Sequence, residues 1–594
     1  MMASLRAPGL GPIVGHTTDT TCRIWIRAGD PSDEKSELAS ERRTVGVIGV
    51  VAPGKTEKIT EAWYFRLHRE FDRTGTFMLG QDRQLGWYDS DLKEESESRE
   101  GGKKRSPKPP KDVQSQPLRP DTEYTVRLGT LTIDDPLPDD EILPDWQLRD
   151  RLPDINLIKD DLLKLDPGES EAVFRTFPKG GRVEARLSFL LGSCRFPGLL
   201  WKIKEADRIF APVYDHCDPK KPDPARFIMM CGDQIYADTL NKSIPLLRAD
   251  TYEEFQERYR TAFGSPNLRR LLRRVPTYMI LDDHEIEDNW TQDQLRTVAG
   301  SRDLFVLAIG AYMSYQWSHG PRTWGRLFYY DFQCAGYPVF VLDERTQRYK
   351  DDQIGLLDNH LLGRPSLDKV NHPGQLDCLL GWLSRQQEQV GNAPKFIVSP
   401  SVFAPNAMDE RVAPAPGDEV PQSKTPGDEI FYLNVRRRGE SDSWPAYPNT
   451  RRTLLKHIVD NKIQNVVFLG GDIHCSCIAE IEFDGDAAKD LKAFSITSSA
   501  FYWPFPFADG DPNGYVHNSR LADQLDPFPV DENVVMHYRS FGFTQEDNFT
   551  RLDIDQNKSA ITIRVFDSRG EEIKVSAASG STAKEGNVLK LAKW

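Results

Sequence analysis

The sequence has few cysteines, no zinc-type pair among them and no excess of positive charge. Its eight cysteines among 594 residues form neither a Cys-x-x-Cys pair nor a dense secreted framework, so we expect buried apolar thiols in a reducing compartment. The formal net charge of −14 argues against general binding to nucleic acid or anionic membranes, since both favour basic surfaces. A local anion pocket is still compatible with this charge, because metal ions can reverse its sign there.

Long hydrophobic runs are also absent. No run approaches the roughly 18 apolar residues of a membrane-spanning helix, and residues 1–10 lack the apolar core of a secretory signal. We therefore expect cytoplasmic residence. No Gly-x-Ser-x-Gly elbow is found either, so a serine nucleophile of that type is not expected.

The composition is that of an ordinary globular protein, with 28% charged and 39% hydrophobic residues. A chain of this length exceeds a single core, and we expect two or three domains. Residues 1–180 read as a β-rich domain, because short alternating segments such as 21–27 are separated by Gly, Pro and Asp in the manner of a small sandwich. The polar stretch near 89–120 interrupts it and is predicted to be disordered.

Residues 181–594 follow a different pattern, in which short apolar runs alternate with amphipathic stretches. This alternation is typical of layered α/β architecture. The predicted strands are Leu187–Leu191, Phe227–Met230, Tyr278–Leu281, Val339–Leu342, Phe396–Val398 and Val466–Leu469.

Chemically capable residues follow five of these runs, at 192–194, 231–238, 282–285, 343–345 and 470–474. Because the carboxyl ends of parallel strands lie at one edge of a sheet, we expect the five segments to border one crevice. A single Asp there is explained as well by a helix cap. The whole set would bury many carboxylates without partners, so shared metal cations are favoured.

The motifs and their order resemble the calcineurin-like metallophosphoesterases in their PhoD-type alkaline phosphatase form. The resemblance is carried by Gly232-Asp233-x-x-Tyr236, Asp283-His284-Glu285 and Gly471-Asp472-x-His474, with Gly-Ser-Cys before them at 192–194. The related purple acid phosphatases have Asn and His where this chain has Asp283 and Asp472. The resemblance implies an α/β fold, with an N-terminal β-sandwich-like domain and an α/β/β/α catalytic core.

The resemblance also implies a set of metal ligands, namely Cys194, Asp233, Tyr236, Asp283, Asp472 and His474. The implied metals are Fe(III) and Ca(II), with zinc or manganese as alternatives. A thiolate and a phenolate suit a ferric ion, whereas carboxylate oxygens suit calcium. Asp233 has two oxygens and is expected to bridge neighbouring ions.

The activity implied is hydrolysis of phosphoric mono- and diesters by a metal-activated hydroxide. His284 is expected to protonate or stabilise the leaving oxygen. Arg345 is expected to fork onto phosphate oxygens, although a structural salt bridge explains it equally well. The expected substrate is a phosphate-ester small molecule or a phospholipid.

The sequence is compatible with an alternative function and with an alternative role for one aromatic segment. A noncatalytic metal-stabilised scaffold is the alternative to an enzyme, although the retained His284 argues against it. The aromatic run 501–507 is interpreted first as packing between layers, and lining of the leaving-group side of the pocket is the alternative. The sequence predicts no oligomeric state.

Overall fold

The computed structural model describes residues 4–29, 43–54, 57–80, 116–133, 151–197, 203–238, 248–323, 327–350, 359–407, 442–505, 512–521, 524–575 and 588–594. The predicted disordered stretch near 89–120 therefore lies outside the described residues, apart from 116–120. The chain forms two compact units. The first contains Met1–Lys179, Phe263–Tyr278 and Met313–Gly320, and the second contains the remaining segments. The predicted domain boundary at residue 180 stays a prediction.

The first unit contains two antiparallel sheets, as its alternating segments predict. A five-stranded sheet has the order β1-β7-β4-β5, with β8 paired to β7, and a three-stranded sheet has the order β2-β3-β6. Their side chains share one core, in which the Trp63 and Phe77 rings stack with centroids 5.4 Å apart. The strands are β1 Ser4–Arg6, β2 Leu10–Thr17, β3 Cys22–Arg27, β4 Arg43–Val51, β5 Ile59–Arg66, β6 Thr74–Leu79, β7 Glu123–Ile133 and β8 Glu171–Arg175.

Strand β3 differs from the half-buried strand that its alternation predicts, because all six of its side chains are buried. One face contributes Ile24 and Ile26 to the shared core. On the other face, Trp25 Nε1 donates to the Ser314 carbonyl at 2.8 Å and an Arg23 nitrogen donates to the Ser318 carbonyl at 3.2 Å. The cover over this face comes from a distant segment of the chain, which local alternation does not reveal.

Two further sheets are mixed, and all six predicted strands are found in them. The first sheet has the order β11-β10-β9-β20-β21-β22, and the second has the order β12-β13-β14-β15-β17-β16-β19-β18. The strands are β9 Arg186–Gly192, β10 Ile228–Met230, β11 Thr277–Met279, β12 Tyr330–Cys334, β13 Tyr337–Val341, β14 Lys395–Val398, β15 Val466–Gly470, β16 Ser476–Asp484, β17 Ala493–Thr497, β18 Phe528–Pro529, β19 Val535–Thr544, β20 Asn548–Asp555, β21 Ala560–Asp567 and β22 Val588–Lys590.

Aromatic side chains join the two sheets face to face. Phe189 of β9 meets Phe396 of β14 with ring centroids 5.2 Å apart, and Phe227 meets Phe332 of β12 at 5.5 Å. These edge-to-face contacts lie in the core between the sheets. Because both faces of the central strands are buried, those strands read as continuous apolar runs rather than alternating ones.

Helices complete the layered arrangement. Helix Gln375–Val390 buries Trp382 and Leu383 against the eight-stranded sheet, and helix Pro448–Asp460 adds Leu454 to the same core. The α/β class is thereby confirmed, whereas the α/β/β/α layering stays a prediction. The α-helices are Ile155–Lys164, Pro167–Ser170, Ile203–Arg208, Phe210–His216, Tyr252–Gly264, Pro266–Leu272, Gln294–Thr297, Ser301–Tyr315, Gln375–Val390 and Pro448–Asp460. Among the described residues, no helix combines the length and the apolar character that crossing a membrane requires.

Candidate active site

The loops after the strands hold several polar residues in a backbone conformation that side chains rarely adopt. Cys194, Asp233, Asp472 and His474 have φ values of 54°, 55°, 72° and 53°. Left-handed backbone costs a residue other than glycine roughly 1–3 kcal/mol, and such residues cluster at functional sites. Four of the six predicted metal ligands therefore occupy strained backbone positions. They lie in the three loops that follow β9, β10 and β15.

Two glycines allow these loops to approach one another. A Cβ on Gly232 would lie 2.4 Å from the Cβ of Asp282, and a Cβ on Gly471 would lie 2.5 Å from the Cβ of Ser193. Real Cβ atoms do not come this close to a neighbour. The Gly-Asp pairs of the sequence are thus explained by contact between neighbouring strand ends.

The first group of side chains contains sulfur, oxygen and nitrogen donors. The ligand atoms of Cys194, Asp233 and His474 all lie within 4.8 Å of one another. The Tyr236 hydroxyl lies 3.2 Å from Asp233 Oδ2 and 3.3 Å from His474 Nε2. The loops are fixed side by side, because Cys194 N donates to the Gly232 carbonyl at 3.2 Å.

The second group contains carboxylates. One oxygen each from Asp233, Asp282, Asp283 and Asp472 lies within 4.8 Å of the others. Asp233 belongs to both groups, which is the bridging position that its two oxygens predict. A third grouping joins Asp233 and Asp283 to His284. The structure thus brings together every metal ligand predicted from the sequence.

Burial, and after it the neighbouring negative charges, raise the pKa values of several acids in these groups. Burial, followed by the neighbouring Cys194 thiol, holds the pKa of Asp233 well above its usual range. Burial likewise raises the pKa of Asp472, and Asp282 adds to the shift. The pKa of the Cys194 thiol rises to about 12, again mainly through burial. The two carboxyl groups and the thiol would therefore be protonated unless metal cations took the place of the protons.

Several buried atoms of the two groups fit a metal ion. Asp233 Oδ1, Asp282 Oδ2 and His474 Nδ1 have no hydrogen-bond partner among the described residues. An unsatisfied buried oxygen or nitrogen is costly, and a cation supplies what it needs. The pKa of His474 is lowered to about 3 by burial and by the charge of His284, so the neutral imidazole is available as a ligand.

Glu285, the last residue of the Asp-His-Glu motif, holds two loops together. Its buried carboxylate accepts the backbone N–H groups of Asp233 at 3.2 Å, Gln234 at 2.7 Å and Asp282 at 3.0 Å. A carboxylate with three such donors is well satisfied. Glu285 therefore positions the Asp233 loop beside the Asp283 loop.

Arg345 lies beneath the carboxylate group and is fully buried. Its Nε is 2.5 Å from Asp282 Oδ1, and its terminal nitrogens are 2.7 Å from Asp442 Oδ2 and 3.4 Å from Asp283 Oδ1. Because three carboxylates already engage the guanidinium, this placement favours the structural salt bridge over a phosphate clamp.

His284 is held from one side. Its Nδ1 lies 2.8 Å from Asp238 Oδ1, and the Asp238 carboxylate also accepts the backbone N–H of Asp288 at 2.8 Å. Burial opposes the charged imidazole, yet Asp238 and then Asp283 hold the pKa of His284 well above its usual value. The ring is thus oriented beside the two groups, and its protonated form is favoured.

An aromatic wall adjoins the sulfur-containing group. The Trp503 ring stacks on the His474 ring with centroids 3.6 Å apart and planes 10° apart. Phe196 and Phe505 contact Trp503 at 5.6 and 5.1 Å, and Phe505 is 37% exposed. The aromatic run therefore reaches a predicted metal ligand, a contact that its sequence does not indicate.

Asp282, Asp238, Glu285 and Asp442 are the polar site residues to which sequence reasoning gave no role. The first three lie inside the motifs, where the signal was their position at a strand end. Asp442 has no motif around it, so nothing local predicted its pairing with Arg345.

Comparisons with known proteins bear on the fold and the family of this chain. The chain is 23% identical over 329 residues to alkaline phosphatase D of Bacillus subtilis (strain 168), which covers 52% of this chain and 49% of the relative. The chain thus spans about half the length of that curated relative. A solved structure described as "Structure of PhoD" superimposes with a TM-score of 0.56 at 15% identity, covering 97% of this chain and 94% of the other. The model of the PhoD-like phosphatase family matches residues 204–563, which is more than half of the sequence, and the chain belongs to that family.

Proposed function

We propose that the protein is a metal-dependent hydrolase of phosphoric mono- and diesters. The observation that carries the proposal is the sharing of Asp233 between two donor groups whose ligand atoms lie within 4.8 Å of one another. Such a pair of adjoining groups is suited to two cations that act on one substrate. Membership of the PhoD-like phosphatase family supports phosphoester hydrolysis.

The donor types indicate which metal each group would hold. Cys194, Tyr236 and His474 offer a thiolate, a phenolate and an imidazole, which suit Fe(III). Asp283 and Asp472 offer only oxygen atoms, which suit Ca(II), with Asp233 between the groups. Zinc or manganese in the same positions is the alternative. When bound, such cations lower the pKa of water and neutralise the oxygens of a phosphate.

The chain's own residues would then position and transfer protons. The His284 imidazole, held by Asp238, is placed to protonate the leaving oxygen of the ester. Its side chain is 16% exposed, so a substrate at the metal groups can reach it. Arg345 fixes the carboxylates from below, and Glu285 fixes the two loops from the side.

The substrate proposal follows from the same site. A phosphate-ester small molecule or a phospholipid headgroup would present the phosphorus that the two groups are built to hold. The aromatic side chains beside His474 offer an apolar surface to its leaving group. Residence in the cytoplasm stays a sequence-based prediction.

The direct test is hydrolysis of p-nitrophenyl phosphate and bis(p-nitrophenyl) phosphate by the purified protein, with and without chelator. We expect turnover of both esters, its loss after metal removal and its return when Fe(III) and Ca(II) are restored. Asp486 is fully exposed, and Asp486→Asn is the matched control for site carboxylates. Turnover of neither ester by the folded, metal-loaded protein would favour the noncatalytic scaffold.

The absorption spectrum tests the metal assignment separately. A phenolate bound to Fe(III) absorbs visible light, so the loaded protein should be coloured and Tyr236→Phe should lose the band. A colourless, iron-free and active protein would overturn the iron assignment while leaving the hydrolytic activity intact.

A further inference from the structure

The six-stranded sheet carries a polar patch on the face turned away from the aromatic core. Strand register places Ser188 of β9 beside Asp553 of β20, and Asp553 beside Thr562 of β21. In the next row on that face, Arg551 lies opposite Arg564. Alternate residues of a strand share a face, so these side chains form a connected polar surface inside the second unit.

Asp553 organises this surface. Its Oδ1 accepts from Ser188 Oγ at 2.6 Å and pairs with Arg551 Nε at 2.8 Å, and its Oδ2 accepts from an Arg564 nitrogen at 2.6 Å. Arg551 is only 5% exposed. The guanidinium groups are therefore oriented before any ligand arrives, which lowers the entropic cost of binding one.

A cavity of about 490 Å³ opens over the patch, within the size range of small-molecule sites. Its lining contains three Asp side chains and five Lys or Arg side chains, the latter being Arg186, Lys221, Arg551, Lys558 and Arg564. The local balance is thus positive in a chain whose formal net charge is −14. A positive pocket in an acidic protein attracts anions.

Two of these cationic side chains, Lys221 and Arg186, are available to bind an anionic ligand. Lys221 has no ion-pair partner among the described residues. Arg186 is exposed, and its contact with Asp223 is long, at 3.4 Å. A guanidinium offers paired donors that match phosphate oxygens, and a lysine adds a point charge.

We propose that this cavity binds a small polar molecule that carries a phosphate group. The cationic rim would take the phosphate, while Asp555 and Thr562 offer partners to hydroxyl or amino groups on the rest of the molecule. This site would be separate from the metal groups and does not depend on the proposed activity.

The separation follows from the geometry of β9. Arg186 begins this strand, and Cys194 follows its other end. The six steps from Arg186 to Gly192 span roughly 20 Å at about 3.3 Å each, which is more than twice the Debye length of about 8 Å at physiological salt. Binding at one end is therefore not an electrostatic side effect of the other.

His216 offers a local reporter for this site. Its ring packs on Phe566 with centroids 4.4 Å apart, and its Nδ1 lies 3.5 Å from an Arg551 nitrogen. Burial, followed by Arg551 and Lys221, lowers the pKa of His216 to about 4. The imidazole is thus neutral near pH 7, and its NMR signal would report an anion bound in the cavity that it lines.

The test is a titration of the metal-loaded, full-length protein with inorganic phosphate, followed by the ring resonance of His216 in protein labelled with 13C-histidine. The resonance is assigned by its loss in His216→Gln. We expect a saturable shift in the wild type. Lys221→Gln should weaken phosphate binding roughly tenfold, which corresponds to about 1.4 kcal/mol for the loss of one charge-assisted contact, and Arg186→Gln/Lys221→Gln should weaken it further.

A control variant separates loss of charge in the cavity from loss of charge elsewhere on the surface. Lys164 and Lys489 are exposed at 74% and 64%, and Lys164→Gln/Lys489→Gln removes the same kind of charge elsewhere, so it should leave the shift unchanged. Lys221→Gln breaks no described ion pair and should fold normally. The proposal is overturned if the wild type shows no saturable shift, or if both cavity variants bind phosphate as tightly as the control variant.

Discussion

Asp238 binds His284 through a contact of 2.8 Å between Oδ1 and Nδ1, and this pair links the fold to the proposed chemistry. The carboxylate is itself held by the backbone N–H of Asp288. Asp238 thus fixes the ring orientation and favours its protonated form, which are the two properties that a proton donor requires.

The first prediction concerns Asp238→Asn. We expect kcat to fall about 100-fold for esters with poor leaving groups, because general-acid catalysis supplies at least that factor. The loss should be smaller for p-nitrophenyl esters, whose leaving group needs no proton. Metal content should be unchanged.

The pH dependence of kcat in Asp238→Asn tests the direction in which Asp238 shifts the pKa of His284. Asp238 raises the pKa of His284, so its removal lowers that pKa. Since the proposed donor must be protonated, the decline of kcat on the alkaline side should begin at a lower pH in the variant. An unshifted profile in Asp238→Asn, with Asp486→Asn as the reference, would show that Asp238 only stabilises the fold.

A second prediction concerns Glu285→Gln. The amide keeps one acceptor oxygen but turns an N–H₂ group towards backbone donors, so buried donors lose their partner. We expect a loss of about 3 kcal/mol in the free energy of unfolding, measured by denaturant titration. Glu571 is 72% exposed, and Glu571→Gln should change stability by less than about 0.5 kcal/mol. Equal stability of the two variants would contradict the role given to Glu285.

A third prediction concerns Gly471→Ala. The new Cβ would lie 2.4 Å from Ser193 Oγ and 2.8 Å from the Cys231 carbonyl oxygen, so the loops must separate. We expect the folded variant to lose metal and activity together. Gly264→Ala is the matched control, because its Cβ would meet only Leu10 Cδ1 at 3.7 Å. Normal metal content in Gly471→Ala would show that the loops can separate without harm.

A fourth prediction concerns Trp503, whose ring covers His474. Trp503→Ala should free the imidazole to rotate and weaken metal binding at the sulfur-containing group roughly 10- to 100-fold, as loss of a supporting side chain does at other metal sites. Trp503→Phe should retain most of the affinity. A lower melting temperature with unchanged metal affinity and substrate preference would support packing alone.

The strands that carry the site were predictable because their signal is local. Val466–Leu469 is short, apolar and followed by Gly470, and the structure makes it strand Val466–Gly470. The meeting of Cys194 and Asp233 was predictable from the rule that the carboxyl ends of parallel strands share an edge, because β9 and β10 are parallel neighbours. His474 follows β15 of the other sheet, so its position beside them depends on the packing of the two sheets, which the rule does not predict. The apolar strand pattern and the polar residues at the strand ends can both be read from a single sequence.

The partners of Arg345 were not predictable, because they come from separate parts of the chain. Asp282 precedes it by 63 residues, and Asp442 belongs to a much later segment of the sequence. An ion pair over such separations leaves no periodic trace, so the sequence left Arg345 balanced between a phosphate clamp and a salt bridge. The burial of Arg345 among three carboxylates appears only when the chain is folded.

The metal content of the wild type and two variants gives the sharpest test of whether distant strand ends share cations around Asp233. Elemental analysis should find two metals in the wild type, neither in full amount in Asp233→Asn, and the metal of the Cys194 and His474 group retained in Asp472→Asn. A folded Asp233→Asn protein with wild-type metal content and wild-type turnover would contradict the account.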